Sequence, residues 1–531
     1  MDSLYLIGGP RTQALEPAIV GNKAANLSRM AAMGLPVPPA FVVPTSLCAG
    51  INKDEPAARA ALDRALDDGV RFLEEQTGRR FGDRRRPLLV SVRSGAPASM
   101  PGMLDTVLDV GCTSEAVHGL IRTSGNPRFA WDCRRRFLEG YCETVLGLDP
   151  RPLESTLAAV IAEEGAAGDA ALDGEALERF AAECLGHAAK SGADVPDDAH
   201  AQLRAAACAV YRSWESDKAR AYRRLTGVAE TDGTAVTVQA MVFGNRGREC
   251  GAGVAFSRDP STGAKTPVID VMFEAQGEDV VSGRRTPDTG ETLAARLPTV
   301  STELLAALAT LESAFRDVQD VEFTIENRRL WLLQTRAAKR TPRAALRIAV
   351  DDVRAGLITP AEAVARLRDI EGARLVVTRF GTAAEPIGAG VPAAPGVAAG
   401  RTAFDSATAQ ELAAKGDPVI LARPDTSTAD VAGFAAAAGI VTTTGGRTAH
   451  AALVARQMGK PCVVACQALA IDEAARRARV GGVSIAEGDW LSIDGDAGAV
   501  FAGRLPIVDT RPEEDLAAWM QWKEQAADAA I

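Results

Sequence analysis

The chain has 531 residues, 47% of them apolar and 5% aromatic, with 59 Lys and Arg against 69 Asp and Glu for a net charge of −10. At ~150 residues per domain this length predicts three or four domains, each large enough to bury a core of Val, Leu, Ile and Ala without disulfide staples. The acidic balance argues against nucleic acid or an anionic membrane as the main partner, and nine scattered cysteines with no CxxC pair read as reduced thiols.

The first hundred residues read as short strands and helices between turn signals, with the apolar run 88–92 as a buried strand ending in Ser94-Gly95. From about 115 to 225 apolar residues recur at helical spacing, in 129–145, 175–189 and 199–225. Strand character returns at 235–243, 268–273, 321–326 and 330–334, the last two joined as a hairpin by Asn327-Arg328-Arg329. A helical stretch at 342–370 leads into 381–400, rich in Gly, Pro and Ala, which predicts a domain boundary. Strands and helices then alternate from about 395 to 505 as a small α/β domain. Residues 512–531 form one charged amphipathic helix, and its Leu516, Trp519, Met520 and Trp522 predict docking on a partner surface. The start of the chain has an acid at position 2 and no basic stretch, and the longest apolar run, 431–441, is far too short to span a bilayer, so the expected location is cytoplasmic.

Three stretches carry chemistry. The run Thr442-Thr-Thr-Gly-Gly-Arg-Thr-Ala-His450 follows an apolar strand, turns on two glycines and enters a helix that Gly459 would stop. A histidine in the first helical turn is favoured as neutral imidazole, and the free N–H groups there stabilise an anion. Both suit a nucleophile that takes up a phosphoryl group, with Arg447 adding charge; a structural histidine is the alternative. The run 91–111, Ser-Val-Arg93-Ser-Gly-Ala-Pro-Ala-Ser-Met-Pro-Gly102 and onward, leaves N–H groups after a strand that can face phosphate, beside an arginine able to bridge its oxygens. A capped surface loop is the alternative, and without GxxxxGK[ST] there is no P-loop. In the hairpin, Asp320 and Glu322 share one face of a strand and Gln334 and Arg336 one face of its neighbour. Such oxygens beside an arginine can hold Mg²⁺ and polyphosphate together, or form salt bridges on a wet face.

Together these stretches resemble the pyruvate, phosphate dikinase family, from Leu4 to about Gly503. The likeness is carried by Gly21-Asn-Lys23-Ala-Ala-Asn-Leu, the run 87–111, Gly125-Asn-Pro-Arg-Phe-Ala-Trp, Val238-Gln-Ala-Met-Val-Phe-Gly-Asn, Gly253-Val-Ala-Phe-Ser-Arg-Asp-Pro-Ser-Thr-Gly, Ala275-Gln-Gly-Glu-Asp-Val-Val, the Glu322 hairpin and the Gly-Gly-x-Thr-x-His turn. The Ser-Met-Pro-Gly-Met loop favours this family over the related phosphoenolpyruvate synthases. The resemblance implies a multi-domain α/β (α+β) chain. Its parts would be an ATP-grasp-like subdomain at 1–115, a helical insertion at 116–225, a second ATP-grasp-like subdomain at 226–340, a helical linker at 341–385, a swivelling phosphohistidine domain at 386–505 and a C-terminal helix at 506–531. It also implies a phosphotransferase in which ATP, phosphate and Mg²⁺ phosphorylate His450 and release AMP and pyrophosphate. By the same resemblance Lys23, Arg93, Arg135 and Arg336 match phosphate-contacting positions, Gly102 the phosphate loop, and Asp320, Glu322 and Gln334 the acidic group, with Glu322 and Gln334 holding metal.

Three positions depart from the family pattern: Ala252 stands for a Thr in the Gly251-Ala-Gly253 segment, read as a loop that could bind a terminal phosphate; Ala449 for a Ser beside the histidine, with Thr448 retained; and Asn22 for a Gly beside Lys23. The family's (β/α)8 barrel, which binds pyruvate, is not recognisable in these 531 residues, and no cysteine matches its acid. Transfer to pyruvate, giving phosphoenolpyruvate, is therefore expected to need a barrel-bearing partner chain, and a homodimer is a further expectation. The rival readings are a non-catalytic nucleotide-binding or regulatory homologue and a phosphotransferase for another small-molecule acceptor.

Overall fold

The computed structural model describes residues 4–9, 12–97, 104–226, 233–281, 285–370, 375, 377–424, 430–447 and 450–528. It divides into two compact units, residues 1–250 with 331–335 and residues 251–330 with 336–531. Helices and strands are mixed in both, as the α/β assignment requires.

The first unit is built on a five-stranded sheet in the order Tyr5–Ile7, Ala40–Val43, Ala235–Ala240, Val90–Gly95, Thr106–Val110, antiparallel throughout. Every residue of Ala40–Val43 and Ala235–Ala240 is buried, so both faces of the sheet centre are covered and the alternation of a half-wet strand is missing from the sequence. The strand Ala235–Ala240, which sequence reading assigns to the second nucleotide-binding subdomain, is the middle strand here. Between it and Thr106–Val110 runs the helical insertion. Thr113, Asn126, Asp173 and Asp198 each accept a hydrogen bond from the N–H three residues on and start a helix there, each cap contributing about 1 kcal/mol. The stretch 199–225 is two helices, Ala199–Ser213 and Asp217–Thr226. It breaks because Ser216 caps the second, its hydroxyl accepting from Ala219 N–H at 3.3 Å, while Trp214 turns into the core.

The second unit opens with strands in the order Asp288–Thr289, Val268–Phe273, Gly251–Phe256, Gln319–Glu326, followed by Arg329–Ala337. The predicted hairpin is present: Asn327 and Arg328 both take positive φ, 50° and 63°, the requirement of a two-residue type I′ turn. Further along, an eight-stranded sheet has a parallel centre of Val397–Ala403, Val419–Arg423, Gly439–Thr442 and Cys462–Val464. Helices Ser406–Ala414, Val431–Ala436 and His450–Met458 lie in the connections, the crossovers a parallel sheet needs. Part of the Gly-, Pro- and Ala-rich stretch expected as a linker instead supplies strands Gly388–Ala389, Val391–Ala394 and the start of Val397–Ala403. Its small residues mark close approach, since a Cβ on Gly400 would lie 2.7 Å from the Pro418 carbonyl oxygen.

The C-terminal helix, Glu513–Asp528, corrects another expectation. Trp519 is 4% exposed and packs with Leu346, Val350, Ile358 and Leu367, so the helix uses its aromatic face on its own chain rather than holding it out for a partner. Among the described residues no helix is long and apolar enough to cross a membrane.

Arg258, just past Gly251–Phe256, ties this unit together. It is buried, with ion pairs to Glu312 at 2.6 Å, Asp352 at 2.9 Å and Asp351 at 3.6 Å, joining the sheet to helices Pro298–Phe315 and Pro342–Arg354. Removing the cation strands three carboxylates, an uncompensated charge that typically costs about 3–5 kcal/mol. Arg258→Met is therefore expected to lower the urea midpoint of the transition that reports the second unit, with an unchanged slope.

Candidate functional site

In the first unit the candidate residues meet where helix Pro17–Ala32 abuts strand Val90–Gly95. The helix is kinked at Gly21, with φ 77° and ψ 158°, and a Cβ there would collide with the Gly95 carbonyl. Only glycine permits that approach. Asn22 N–H donates to Ala96 O at 3.1 Å, and its side-chain amide donates to Pro97 O. Asn22 thus pins the kink to the chain leading into the predicted phosphate loop, and Lys23 follows exposed on the same turn. Gly102 and the rest of 98–103 lie outside the described residues.

Arg93 is half-buried on the same strand, facing Thr237 in register on the neighbouring strand. Its Nε and the Thr237 hydroxyl are both buried without a hydrogen-bond partner. A buried orphan donor costs about 1–3 kcal/mol, so two side by side at a strand end are suited to a ligand oxygen. Arg135 has the opposite setting. It is buried on helix Pro127–Gly140 and engaged by Asp132 at 2.6 Å, Glu139 at 2.9 Å and Asp169 at 3.2 Å. Burial would raise the Asp132 carboxyl, but Arg136 and Arg135 hold it well below the usual carboxylate range. With three carboxylates around it, Arg135 braces the insertion, a different setting from the phosphate-facing one that resemblance implies. Gln334, half-buried on 331–335, belongs to this unit, where the Thr335 carbonyl beside it accepts from Asn26 Nδ2 at 3.0 Å.

In the second unit Asp320 is 4% exposed. Its Oδ2 accepts from Arg336 Nε at 2.8 Å and its Oδ1 has no partner. Burial raises the Asp320 carboxyl above its ordinary value and the charge of Glu322 adds to this, against the pull of Arg336. Glu322, two residues on and half-buried, is on the same face of the strand. An orphaned buried carboxylate oxygen with a second carboxylate alongside fits a hard divalent cation, whose other positions water and phosphate oxygens fill. No group of three metal-ligating side chains occurs among the described residues.

The histidine turn belongs to this same unit. Three threonines secure it: Thr442 Oγ1 donates to Thr444 O at 2.6 Å, and Thr443 and Thr444 donate to Pro424 O at 2.7 and 3.0 Å. Thr448 and Ala449 lie outside the described residues, as does the side chain of His450. Position 450 is the first residue of helix His450–Met458, where sequence reading puts it. A Cβ on Gly446 would collide with the Pro287 ring and the Asp270 carboxylate, so the turn lies directly against the sheet that bears Asp320. On the helix, Leu453 packs against Phe256, Val268 and Val318 of that region, and it is on the same side as position 450, three residues before it.

Sequence reasoning missed this contact surface, of which Asp270, Pro287 and Arg456 are part. The one available signal was an arginine inside the apolar helical run Ala-Ala-Leu-Val-Ala-Arg456. Ala252, expected in a loop, is instead in strand Gly251–Phe256, 0% exposed among Val254, Met272 and Val280. The glycines on either side signalled tight strand packing rather than a turn.

Residues 55–304 match the AMP/ATP-binding domain of pyruvate phosphate dikinase, and residues 415–498 match the mobile domain of PEP-utilising enzymes. The chain is 40% identical over 513 residues to a pyruvate, phosphate dikinase of Clostridium symbiosum, covering 96% of this chain and 59% of that one. It is 41% identical to that of Rhizobium meliloti and 39% identical to that of Giardia intestinalis, covering 58% and 59% of those proteins. The chain thus spans about three fifths of the length of these relatives. The chain thus carries, in order, matches to the AMP/ATP-binding domain of pyruvate phosphate dikinase and to the mobile domain of PEP-utilising enzymes, with about 40% identity to pyruvate, phosphate dikinases over nearly all of its own residues.

Proposed function

We propose that this chain carries out the nucleotide half of the dikinase reaction in the cytoplasm. His450 takes the β-phosphoryl of ATP, phosphate takes the γ-phosphoryl, and AMP and pyrophosphate leave. The observation that carries the reading is the seating of the histidine turn on the sheet bearing Asp320 and Glu322, with Gly446 fitted against Asp270 and Pro287. A histidine at a helix start, in a turn packed on the sheet that bears carboxylates suited to Mg²⁺, is an arrangement phosphoryl transfer can use, since such catalysis is mostly positioning and charge neutralisation. Mg²⁺ would be held by Asp320 and Glu322 and would neutralise charge on the phosphates. Arg336 holds the Asp320 carboxylate in place. Arg93 and Lys23 bind and orient phosphate oxygens. In the family the phosphoryl group then passes to pyruvate, and the relatives' names point to pyruvate as acceptor here.

Incubation of the whole chain with β-labelled ATP, phosphate and Mg²⁺ is expected to give acid-labile label on protein with equal AMP and pyrophosphate. His450→Ala should abolish the label. Label that survives this change, or no label in the parent, removes the proposal. Pyruvate added afterwards, with and without a barrel-bearing dikinase chain, shows whether the group moves on.

Arg93→Gln removes the charged member of the orphan pair while leaving the strand register intact. Loss of a charge-assisted hydrogen bond is worth about 1.5–3 kcal/mol, so nucleotide affinity measured by calorimetry should fall about 10- to 150-fold.

The raised Asp320 carboxyl sets a pH dependence. Its ionised form is the one that accepts from Arg336 and suits a cation, and burial makes it protonate at a higher pH than an ordinary carboxylate. The acid limb of the labelling rate should therefore begin above the ordinary Asp range, near 3.9. Asp320→Asn should lower the rate and remove that limb, as read from rate profiles of the two proteins.

A further inference from the structure

The histidine helix carries a cation that the reaction does not consume. Arg456, six residues after position 450, is 1% exposed. Its Nη2 donates to the Arg447 carbonyl at 2.5 Å and its Nη1 to the Ala393 carbonyl at 3.1 Å. Its Nε has no partner, and among the described residues it forms no salt bridge. Instead the guanidinium sits 5.4 Å from the centre of the Phe256 ring, within the field of Asp270, Asp259 and Asp320. Burial pulls its pKa down to about 10 against these acids.

An arginine buried without a carboxylate is a poor device for stabilising one domain, because desolvation exceeds what two carbonyls return. The partners resolve the difficulty, since they come from two places. Arg447 and Ala393 belong to the histidine-bearing domain. Phe256 and the acids belong to the nucleotide-binding sheet. The charge is therefore satisfied by the docked arrangement as a whole: a cation–π contact and the summed attraction of the acids from one side, two carbonyls from the other. Its grip on Arg447 O fixes the turn three residues before position 450. Leu453, one helical turn earlier, supplies the apolar part of the same contact.

We propose that Arg456 is a positioning residue that latches the His450 helix onto the nucleotide-binding sheet, joining the histidine turn to Phe256. Its catalytic consequence rests on the reading of His450 as phosphoryl acceptor, whereas the docking contact does not. Released from the sheet, the same side chain regains water, so the latch can open without leaving an unpaired charge in a dry core.

The test is an inter-domain distance in the full chain. Spin labels at Glu303→Cys on helix Pro298–Phe315 and Ala407→Cys on helix Ser406–Ala414 occupy exposed positions, and the native cysteines are buried or half-buried. The parent should give one narrow distance, Arg456→Gln a broader and longer distribution, and Phe256→Leu a shift in the same direction. In the labelling assay Arg456→Gln should lower the limiting single-turnover rate at saturating ATP about 100-fold, the scale of a misplaced reacting group, with the half-saturating ATP concentration within about twofold. Arg456→Lys, which keeps the charge, should recover part of both effects. A folded Arg456→Gln with the parent distribution, or one whose loss lies in the half-saturating ATP concentration with the limiting labelling rate unchanged, overturns the latch. Should Arg456→Gln fail to fold, the distribution of Phe256→Leu decides alone. Should the parent take no label from ATP, the proposed function fails while the distances still decide the latch.

Discussion

The packing of helix His450–Met458 on Phe256 of the strand Gly251–Phe256 fixes where the histidine turn sits in the second unit. On the proposed function the histidine must reach a site dense with negative oxygen, and the contact surface that seats its helix is part apolar and part cationic. Leu453 fits a pocket of Phe256, Val268 and Val318, and Gly446 removes the one Cβ that would hold the turn away from Asp270 and Pro287. An apolar contact alone would hold the helix in many rotations. A directional buried guanidinium, held at two carbonyls and a ring face, selects one, and selection by a buried polar group at a cost in stability is a known use of such groups.

Arginines throughout the chain show how the same side chain is given opposite work by its neighbours. Arg135 and Arg258 are each ringed by three carboxylates, and their positive charge is spent on cohesion. Arg93 keeps a buried Nε unmatched beside an equally unmatched threonine hydroxyl. The difference lies in the second partner. Where acids arrive from the same helix at i−3 and i+4, as Asp132 and Glu139 do for Arg135, the network is local and needs no ligand. Where the strand neighbours are Thr106 and Thr237, no ion pair neutralises the charge among the described residues.

Much of this was legible in the sequence because it is local. Strand character and turn chemistry revealed the hairpin around Asn327 and Arg328, apolar residues at helical spacing revealed the insertion helices, and two glycines after an apolar strand located the histidine turn. Features that depend on tertiary approach were not legible. Glycine and alanine mark linkers and tightly packed strands alike, so 388–400 read as a boundary although it forms strands, and Ala252 read as a loop residue although it is in a strand. Trp519 read as a docking residue because an amphipathic helix does not state what covers it, and here helices 342–354 and 360–366 do. Arg135 matches a phosphate-contacting position by resemblance alone, and its ion pair with Asp169, 34 residues away, is a tertiary contact that the sequence does not display.

Asn22 and Ala252 bear on how far a family pattern can be transferred. Each departs from it, yet the structure gives them unequal weight. Asn22 lies at the candidate site: its backbone and side-chain amides reach Ala96 and Pro97, and it needs none of glycine's freedom there, because Gly21 beside it supplies the positive φ of the kink. Ala252 is sealed among apolar side chains with Thr324 opposite it in register. A hydroxyl there would have to find a partner inside the sheet before it could serve a phosphate, and alanine removes that requirement along with the hydroxyl. Burial therefore separates the two departures: one is exposed and hydrogen-bonds the chain beside the candidate site, and the other leaves a core without a polar group to satisfy.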